Sequence, residues 1–136
     1  MSSYKSIELC AGCGGLALGL EQAGLEHDLL VELEKWPCET LKTNRPKWNV
    51  VQDSIENVDY STFAESNIDL VSGGIPCQSF SYAGKKKGLK DKRGSVFYQF
   101  KKCVNDVKPK MFLIENVRGF FSHEKGETFK LIKKEL

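Results

Sequence analysis

The sequence lacks several features that would place it in a specialised class of proteins. Its longest apolar runs, such as Met111–Ile114, have about four residues, whereas a helix that crosses a membrane needs about 20. Its first residues contain no apolar signal core, so we expect a cytoplasmic protein with reduced cysteines and no membrane partner. Cys10 and Cys13 are spaced like a metal-binding pair, but the two histidines stand apart, and we predict no metal.

The chain also lacks a strong excess of either charge. Its net charge of +2 is too small to attract a nucleic acid as a whole, so such a contact must come from local clusters. The 136 residues are 40% hydrophobic and 28% charged, a balance typical of one globular domain. The main cluster of basic charge lies at 85–93, a segment that contains six basic residues and one acidic residue. It indicates contact with phosphates, and a solvated charge run is the alternative.

Short apolar runs alternate with helical patterns along the chain. The runs predict strands over 6–10, 27–32, 48–52, 68–72 and 110–115. The helical patterns cover 16–23, 36–44, 59–66, 95–107 and 125–136. This alternation predicts an α/β fold with a mostly parallel sheet and helices on both faces. Ligands bind such sheets beyond the carboxyl ends of the strands, where the strand order reverses, so the loops there are candidate sites.

The first of these loops has a glycine pattern. Gly12, Gly14 and the residues that follow satisfy G-x-G-x-x-G/A directly after a strand, and Glu32 stands 20 positions beyond Gly12. Glycines let the backbone turn sharply, the helix start offers free N–H groups, and a carboxylate can bind ribose hydroxyls. The pattern predicts a nucleoside pocket. It does not distinguish a dinucleotide from another adenosine-bearing cofactor.

Two further loops carry reactive side chains. Cys77 follows the fourth predicted strand in a turn that contains Pro76, and basic residues nearby would favour its nucleophilic thiolate. Glu115 ends the fifth predicted strand, so its carboxyl group is expected at the same edge of the sheet as a proton donor or acceptor.

Four blocks of sequence in this order resemble the N-terminal part of the DNA (cytosine-5)-methyltransferases of bacterial restriction-modification systems. The blocks are Leu9-Cys10-Ala11-Gly12-Cys13-Gly14-Gly15, Gly74-Ile75-Pro76-Cys77-Gln78-Ser79-Phe80-Ser81, Gly88 through Arg93-Gly94 to Phe97, and Glu115-Asn116-Val117. The resemblance runs over 7–136. It implies a Rossmann-like methyltransferase fold that binds S-adenosyl-L-methionine, releases S-adenosyl-L-homocysteine, and methylates carbon 5 of a cytosine flipped out of double-stranded DNA.

The resemblance also implies roles for individual residues. Cys77 would add to carbon 6 of the base, and Glu115 would hydrogen-bond the base and supply a proton at N3. The expected cofactor-binding residues are Cys10, Ala11, Gly12, Cys13, Gly14, Gly15, Glu32, Leu33, Asp53, Ser54, Gly74, Pro76 and Val96. The expected DNA contacts are Gln78, Ser79, Ser81, Lys85, Lys86, Lys87, Lys90, Lys92, Arg93 and Asn116, most of them in a loop that closes over the flipped base.

Two departures from the family qualify these expectations. An aromatic residue is common at the position of Cys10, so stacking on the adenine would be weaker or would come from Leu33 or Ile75. Family members also continue into a target-recognition domain and further motifs. We therefore expect 1–136 to be the N-terminal part of the catalytic domain, inactive alone and completed by a C-terminal half or a second chain. Three explanations are open for the motifs that 1–136 does not contain: the sequence is a fragment, it is one part of a natural split enzyme, or it comes from a decayed reading frame.

Two other functions would fit part of the pattern. A non-catalytic subunit would use the same residues to bind the cofactor or DNA. A nicotinamide-dependent oxidoreductase would explain the glycine pattern and Glu32, but it leaves Cys77 and Glu115 without a role.

Overall fold

The computed structural model describes residues 3–76 and 96–136, and they contain a five-stranded parallel sheet. The strands are β1 (Tyr4–Leu9), β2 (Leu25–Glu32), β3 (Val50–Gln52), β4 (Leu70–Gly74) and β5 (Met111–Glu115). Their order is β3-β2-β1-β4-β5, and every neighbouring pair is parallel. The predicted α/β class and all five predicted strands are confirmed.

Within the described ranges, four α-helices accompany the strands. They are α1 (Gly15–Gln22), α2 (Lys35–Asn44), α3 (Val96–Val107) and α4 (Glu127–Glu135). A 3₁₀ segment over Arg118–Gly126 precedes α4, so the last helix begins later than the sequence pattern predicts.

The predicted helix over 59–66 is wrong, because the segment forms only a short 3₁₀ turn, Tyr60–Phe63. The Asp59 carboxylate accepts hydrogen bonds from the backbone N–H and the hydroxyl of Ser61, which caps this single turn. Tyr60 is the only buried residue of the turn, and its hydroxyl donates to the Ile55 carbonyl. With one buried side chain, a longer helix would have no apolar face to pack against the protein. The helical segment therefore ends after one turn.

The sheet separates two apolar clusters. The larger one joins strand residues such as Ile7, Leu9 and Val71 to Phe100 and Cys103 of α3. The smaller one joins Leu30 of β2 to residues of α1 and α2. Because successive side chains of a strand point to opposite faces, Ile7 and Leu9 face the larger cluster, whereas Ser6 and Glu8 face α1. Both of these polar residues are buried.

Strand β5 lies at an edge of the described sheet and is the least covered strand. Met111 is 66% exposed, and Phe112 and Leu113, which point to opposite faces, are both exposed. No helix in the described ranges is long and apolar enough to cross a membrane.

Candidate functional site

The strand order reverses between β1 and β4, and the candidate residues collect at the carboxyl end of this pair. From β1 the chain moves first to β2 and β3, and it then returns to the other side of β1 to form β4 and β5. At such a switch point of a parallel sheet the connections run to opposite faces, and ligands bind in the crevice that this leaves at the carboxyl ends of the strands.

The loop after β1 is a tight turn that two of its glycines make possible. Gly12 has φ +56° and Gly14 has φ +89°, both in the left-handed region that side chains disfavour. Gly14 is also packed closely, because a Cβ atom added to it would lie 2.5 Å from Leu41 Cδ2 and 3.3 Å from Trp48. The turn then enters α1 at Gly15, and Cys13 is exposed.

Glu32 braces this turn from the end of β2. Its carboxylate accepts a hydrogen bond from the Gly12 backbone N–H at 2.7 Å and another from the Glu34 backbone N–H at 2.8 Å. The residue is 8% exposed. Hydrogen bonds to a charged acceptor are stronger than those between neutral groups, and each carboxylate oxygen can accept a second donor. Glu32 thus fixes the turn and retains acceptor capacity for a hydroxyl group.

Cys10 and Ala11 form the start of the same turn. Cys10 has φ +55° and is half-buried. Burial, together with the nearby Glu32 carboxylate, raises the pKa of the Cys10 thiol to about 11, so this cysteine stays protonated and unreactive at neutral pH. Ala11 is buried, and its N–H donates to the Val31 carbonyl. Cys10 and Ala11 therefore shape the start of the turn, and neither contributes a reactive group.

The two candidates for stacking on an adenine differ in exposure. Leu33 is 61% exposed directly after β2, beside Glu32. Ile75 is 2% exposed and belongs to the larger apolar cluster. Only Leu33 is accessible to a ligand, so the expectation for Ile75 is wrong.

The loop after β3 places Asp53 at the same edge. The Asp53 backbone N–H donates to the Glu32 carbonyl, which brings the two loops together. Its carboxylate accepts from the Ser54 N–H and the Asn57 amide, both at 2.7 Å. These two hydrogen bonds stabilise the turn after β3. Asp53 is exposed and Ser54 is half-buried, so the Asp53 carboxylate remains accessible.

Glu115 lies on the other side of the crevice. It pairs in register with Gly74, the last residue of β4. A Cβ atom added to Gly74 would be 3.5 Å from Glu115 Oε2 and 3.7 Å from the Cys10 carbonyl oxygen. The exposed Glu115 carboxylate therefore stands at the carboxyl edge, close to the beginning of the glycine turn.

Asn116 joins the loops that follow β4 and β5. Its side-chain amide donates to the Ile75 carbonyl at 2.8 Å, and its side-chain oxygen accepts from the Val117 N–H at 2.8 Å. Asn116 is half-buried. It thus fixes the backbone immediately before Pro76, a role that the sequence analysis did not predict for this expected DNA contact.

Pro76 and Val96 border a segment that lies outside the described residues. Pro76 is exposed, and Val96 is half-buried at the start of α3. The remaining expected site residues fall within 77–95, outside the described ranges: Cys77, Gln78, Ser79, Ser81, Lys85, Lys86, Lys87, Lys90, Lys92 and Arg93.

Glu8 is a site-related residue that the sequence analysis missed. It is 1% exposed near the carboxyl end of β1, and burial raises the pKa of its carboxyl group to about 7. An acidic residue between the apolar residues Ile7 and Leu9 was the available signal, because charged side chains are almost never buried without a partner. Within residues 3–76 and 96–136, no group of three or more His, Cys, Asp and Glu side chains could hold a metal ion.

A comparison with known families covers almost the whole chain. The family described as C-5 cytosine-specific DNA methylase matches residues 4–136. The Type II methyltransferase M.PspPI of Psychrobacter is 51% identical over 134 residues, which are 98% of this chain and 32% of that protein. M.Eco47II of Escherichia coli is 48% identical over 130 residues, 96% of this chain and 31% of that protein. The chain therefore spans about a third of the length of these relatives.

Solved structures show the same fold. A protein described as a DNA modification methyltransferase of an E. coli prophage superposes with a TM-score of 0.76 at 28% identity, over 98% of this chain and 38% of that one. A mutant of Spodoptera frugiperda DNMT2 gives a TM-score of 0.72 at 26% identity, over 98% and 41%. These neighbours confirm the Rossmann-like methyltransferase architecture. With a family match that covers 4–136, the chain belongs to the C-5 cytosine-specific DNA methylase family.

Proposed function

We propose that this chain is the cofactor-binding and catalytic part of an enzyme that methylates carbon 5 of cytosine in double-stranded DNA. The observation that carries the proposal is the crevice between β1 and β4. There, a carboxylate braces the glycine turn on one side, and a second carboxylate, Glu115, stands beside Gly74 on the other. Family membership supports the same reaction.

The crevice fits S-adenosyl-L-methionine, the methyl donor that the family implies. The turn at Gly12 and Gly14 lets the backbone approach a ligand closely, and the helix start beyond it presents backbone N–H groups. Glu32 retains acceptor capacity for the two hydroxyls of a ribose. Leu33 is exposed beside it and offers an apolar surface for the adenine ring. When bound, the donor supplies an electrophilic methyl group.

The chain's own residues would make the cytosine reactive. Carbon 5 of cytosine is a weak nucleophile, and addition of the Cys77 thiolate to carbon 6 moves the electron pair of the C5–C6 double bond towards carbon 5. Glu115 would share a proton with N3 of the ring, which stabilises the charge that develops there. After carbon 5 has accepted the methyl group, loss of its proton restores the double bond and expels the thiolate.

The DNA contacts are part of the proposal. The basic residues of 85–93 would neutralise phosphates, and the enzyme would act on a base turned out of the duplex. Sequence recognition would come from a target-recognition region in the two thirds of the relatives' length that this chain does not match.

A polypeptide that supplies this remaining length is the second proposed partner, whether it belongs to the same chain or to another one. This polypeptide would bind beside β5, because β5 is an edge strand with exposed apolar side chains on both of its faces. Beside β5, an apolar groove of about 480 Å³ is lined mainly by aromatic and aliphatic residues, among them Phe112, Phe121 and Phe129.

Replacement of Glu32 by alanine tests the cofactor crevice. The change removes the acceptor for two backbone N–H groups and for the ribose, and each hydrogen bond to a charged group is worth about 1.5–3 kcal/mol. We expect the affinity for S-adenosyl-L-homocysteine to fall at least about 10-fold, measured by isothermal titration calorimetry.

Glu39→Gln is the matched control. Glu39 also lies close to Glu32 in the sequence, but its carboxylate pairs with Lys35 on the exposed side of α2. This variant should bind with wild-type affinity. Equal affinities for E32A and E39Q would contradict the proposed crevice.

A further inference from the structure

The ring of Trp48, which precedes β3, packs closely against the glycine turn. The Gly14 N–H closes this turn by donating to the Ala11 carbonyl at 3.0 Å. A Cβ atom added to Gly14 would lie 3.3 Å from Cζ3 of Trp48. Gly14 has a left-handed backbone and no side chain of its own, so its conformation depends on the groups that pack against it.

Three side chains fix the position of the Trp48 ring. Its indole N–H donates to Glu21 Oε1 at 3.0 Å, across 27 positions of the sequence. The Arg45 guanidinium lies over the ring, with its Cζ 5.7 Å from the ring centroid. The His27 ring meets the indole edge-on, with the two centroids 4.9 Å apart. The hydrogen bond to Glu21 has the most defined direction of these contacts, so it sets the orientation of the indole.

Glu21 occupies a place where a carboxylate does not stabilise the helix that carries it. It lies in the last turn of α1, near the negative end of the helix dipole, and that turn contains no basic residue. Each of its oxygens accepts a hydrogen bond from outside α1, Oε1 from Trp48 and Oε2 from the Arg45 Nε–H at 3.0 Å. The ion pair with Arg45 is partly exposed, and such pairs contribute little to stability. The contact with the indole therefore gives Glu21 its specific role.

We propose that Glu21 is a positioning residue that holds the Trp48 ring against Gly14 and thereby keeps the glycine turn in its binding geometry. The same turn presents the Gly12 N–H to the Glu32 carboxylate at 2.7 Å. A displaced Gly14 would therefore also disturb the contact that braces the proposed ribose site. The expected effect on cofactor affinity rests on the proposed function, whereas the hold on the turn does not.

The first test is hydrogen exchange measured by mass spectrometry, with the chain combined with the polypeptide that supplies the remaining length. In Glu21→Ala and in Trp48→Phe, a peptide that covers 10–18 should exchange about 5- to 10-fold faster, because loss of the hydrogen bond lets the turn open more often. A peptide that covers 67–74 and contains β4 should exchange at the wild-type rate. Unchanged exchange over 10–18, or equal acceleration of both peptides, would overturn the inference.

Two matched controls make the same kinds of change on α2. Trp36→Phe replaces a tryptophan that is 72% exposed. Glu39→Ala removes a carboxylate whose partner is Lys35 of the same helix. Both variants should keep the wild-type exchange over 10–18 and the wild-type affinity for the cofactor product. Faster exchange over 10–18 in both controls would show that the effect is not specific to the contact between Glu21 and Trp48, and would overturn the inference.

The second test measures affinity for S-adenosyl-L-homocysteine. E21A and W48F should each bind about fivefold more weakly than wild type, within the range for residues that act without touching the ligand. Because Glu21 acts through Trp48, E21A should cause no further loss when it is added to W48F. Wild-type affinity of E21A, or full additivity in the double variant, would overturn the positioning role. Absence of binding by the wild type would instead overturn the proposed function, and hydrogen exchange would still decide whether Glu21 holds the turn.

Discussion

Replacement of Glu115 by glutamine is expected to lower the rate of methyl transfer by about 10²- to 10⁴-fold, the usual contribution of a positioned acid or base. The carboxyl group stands at the carboxyl edge beside Gly74 and the Cys10 carbonyl. Glutamine keeps its size and can hydrogen-bond the base, but it cannot transfer a proton. The rate is measured in single turnovers with labelled S-adenosyl-L-methionine, with the chain combined with the polypeptide that supplies the remaining length.

Two comparisons make this expectation specific. Glu127→Gln removes a carboxylate that lies on the exposed side of α4 and pairs with Lys130, so it should leave the rate unchanged. The affinity of E115Q for S-adenosyl-L-homocysteine should stay close to that of wild type, because Glu32 and the glycine turn are intact. A wild-type rate for E115Q would remove Glu115 from the reaction.

Replacement of Gly14 by alanine is expected to lower the free energy of unfolding by about 2–5 kcal/mol. The left-handed backbone costs an L-residue roughly 1–2 kcal/mol, and overpacking of a core costs about 1–3 kcal/mol. Both apply to Gly14, which has φ +89° and whose added Cβ would lie 2.5 Å from the buried Leu41. The measurement is the urea midpoint of unfolding.

The neighbouring glycines provide matched controls in the same turn. Gly12 has φ +56° but open space around an added Cβ, so Gly12→Ala should cost only about 1–2 kcal/mol. Gly15 has open space and begins α1, where alanine is favoured by up to about 1 kcal/mol. Equal stability of all three variants would contradict the close packing of Gly14 against Leu41 of α2.

The sheet and the position of the site could be predicted because both depend on local patterns. Apolar runs alternate with helical segments, and right-handed connections then leave few possible strand orders. The glycine turn follows β1 directly and Glu115 ends β5, so their place at the carboxyl edge follows from the parallel sheet. These features need no knowledge of long-range contacts.

The internal contacts of the site could not be predicted in the same way. The bonds from Glu32 to Gly12 and from Asn116 to Ile75 join residues 20 and 41 positions apart. Glu8 meets Ser72 across 64 positions. Such pairings depend on strand register, because a shift by one residue would turn each side chain to the opposite face. The sequence suggests the residue types, and only the folded sheet brings them together.

The assignment of Cys77 as nucleophile is the central claim, and covalent trapping tests it most directly. Duplex DNA with 5-fluorocytosine at the target position is incubated with S-adenosyl-L-methionine and the chain combined with its remaining length, and the adduct is located by peptide mass spectrometry. Because fluorine cannot leave carbon 5 as a proton does, the enzyme should remain attached through Cys77, and Cys77→Ser should form no adduct. An adduct at another residue, or full methylation of unmodified DNA by C77S, would contradict the account.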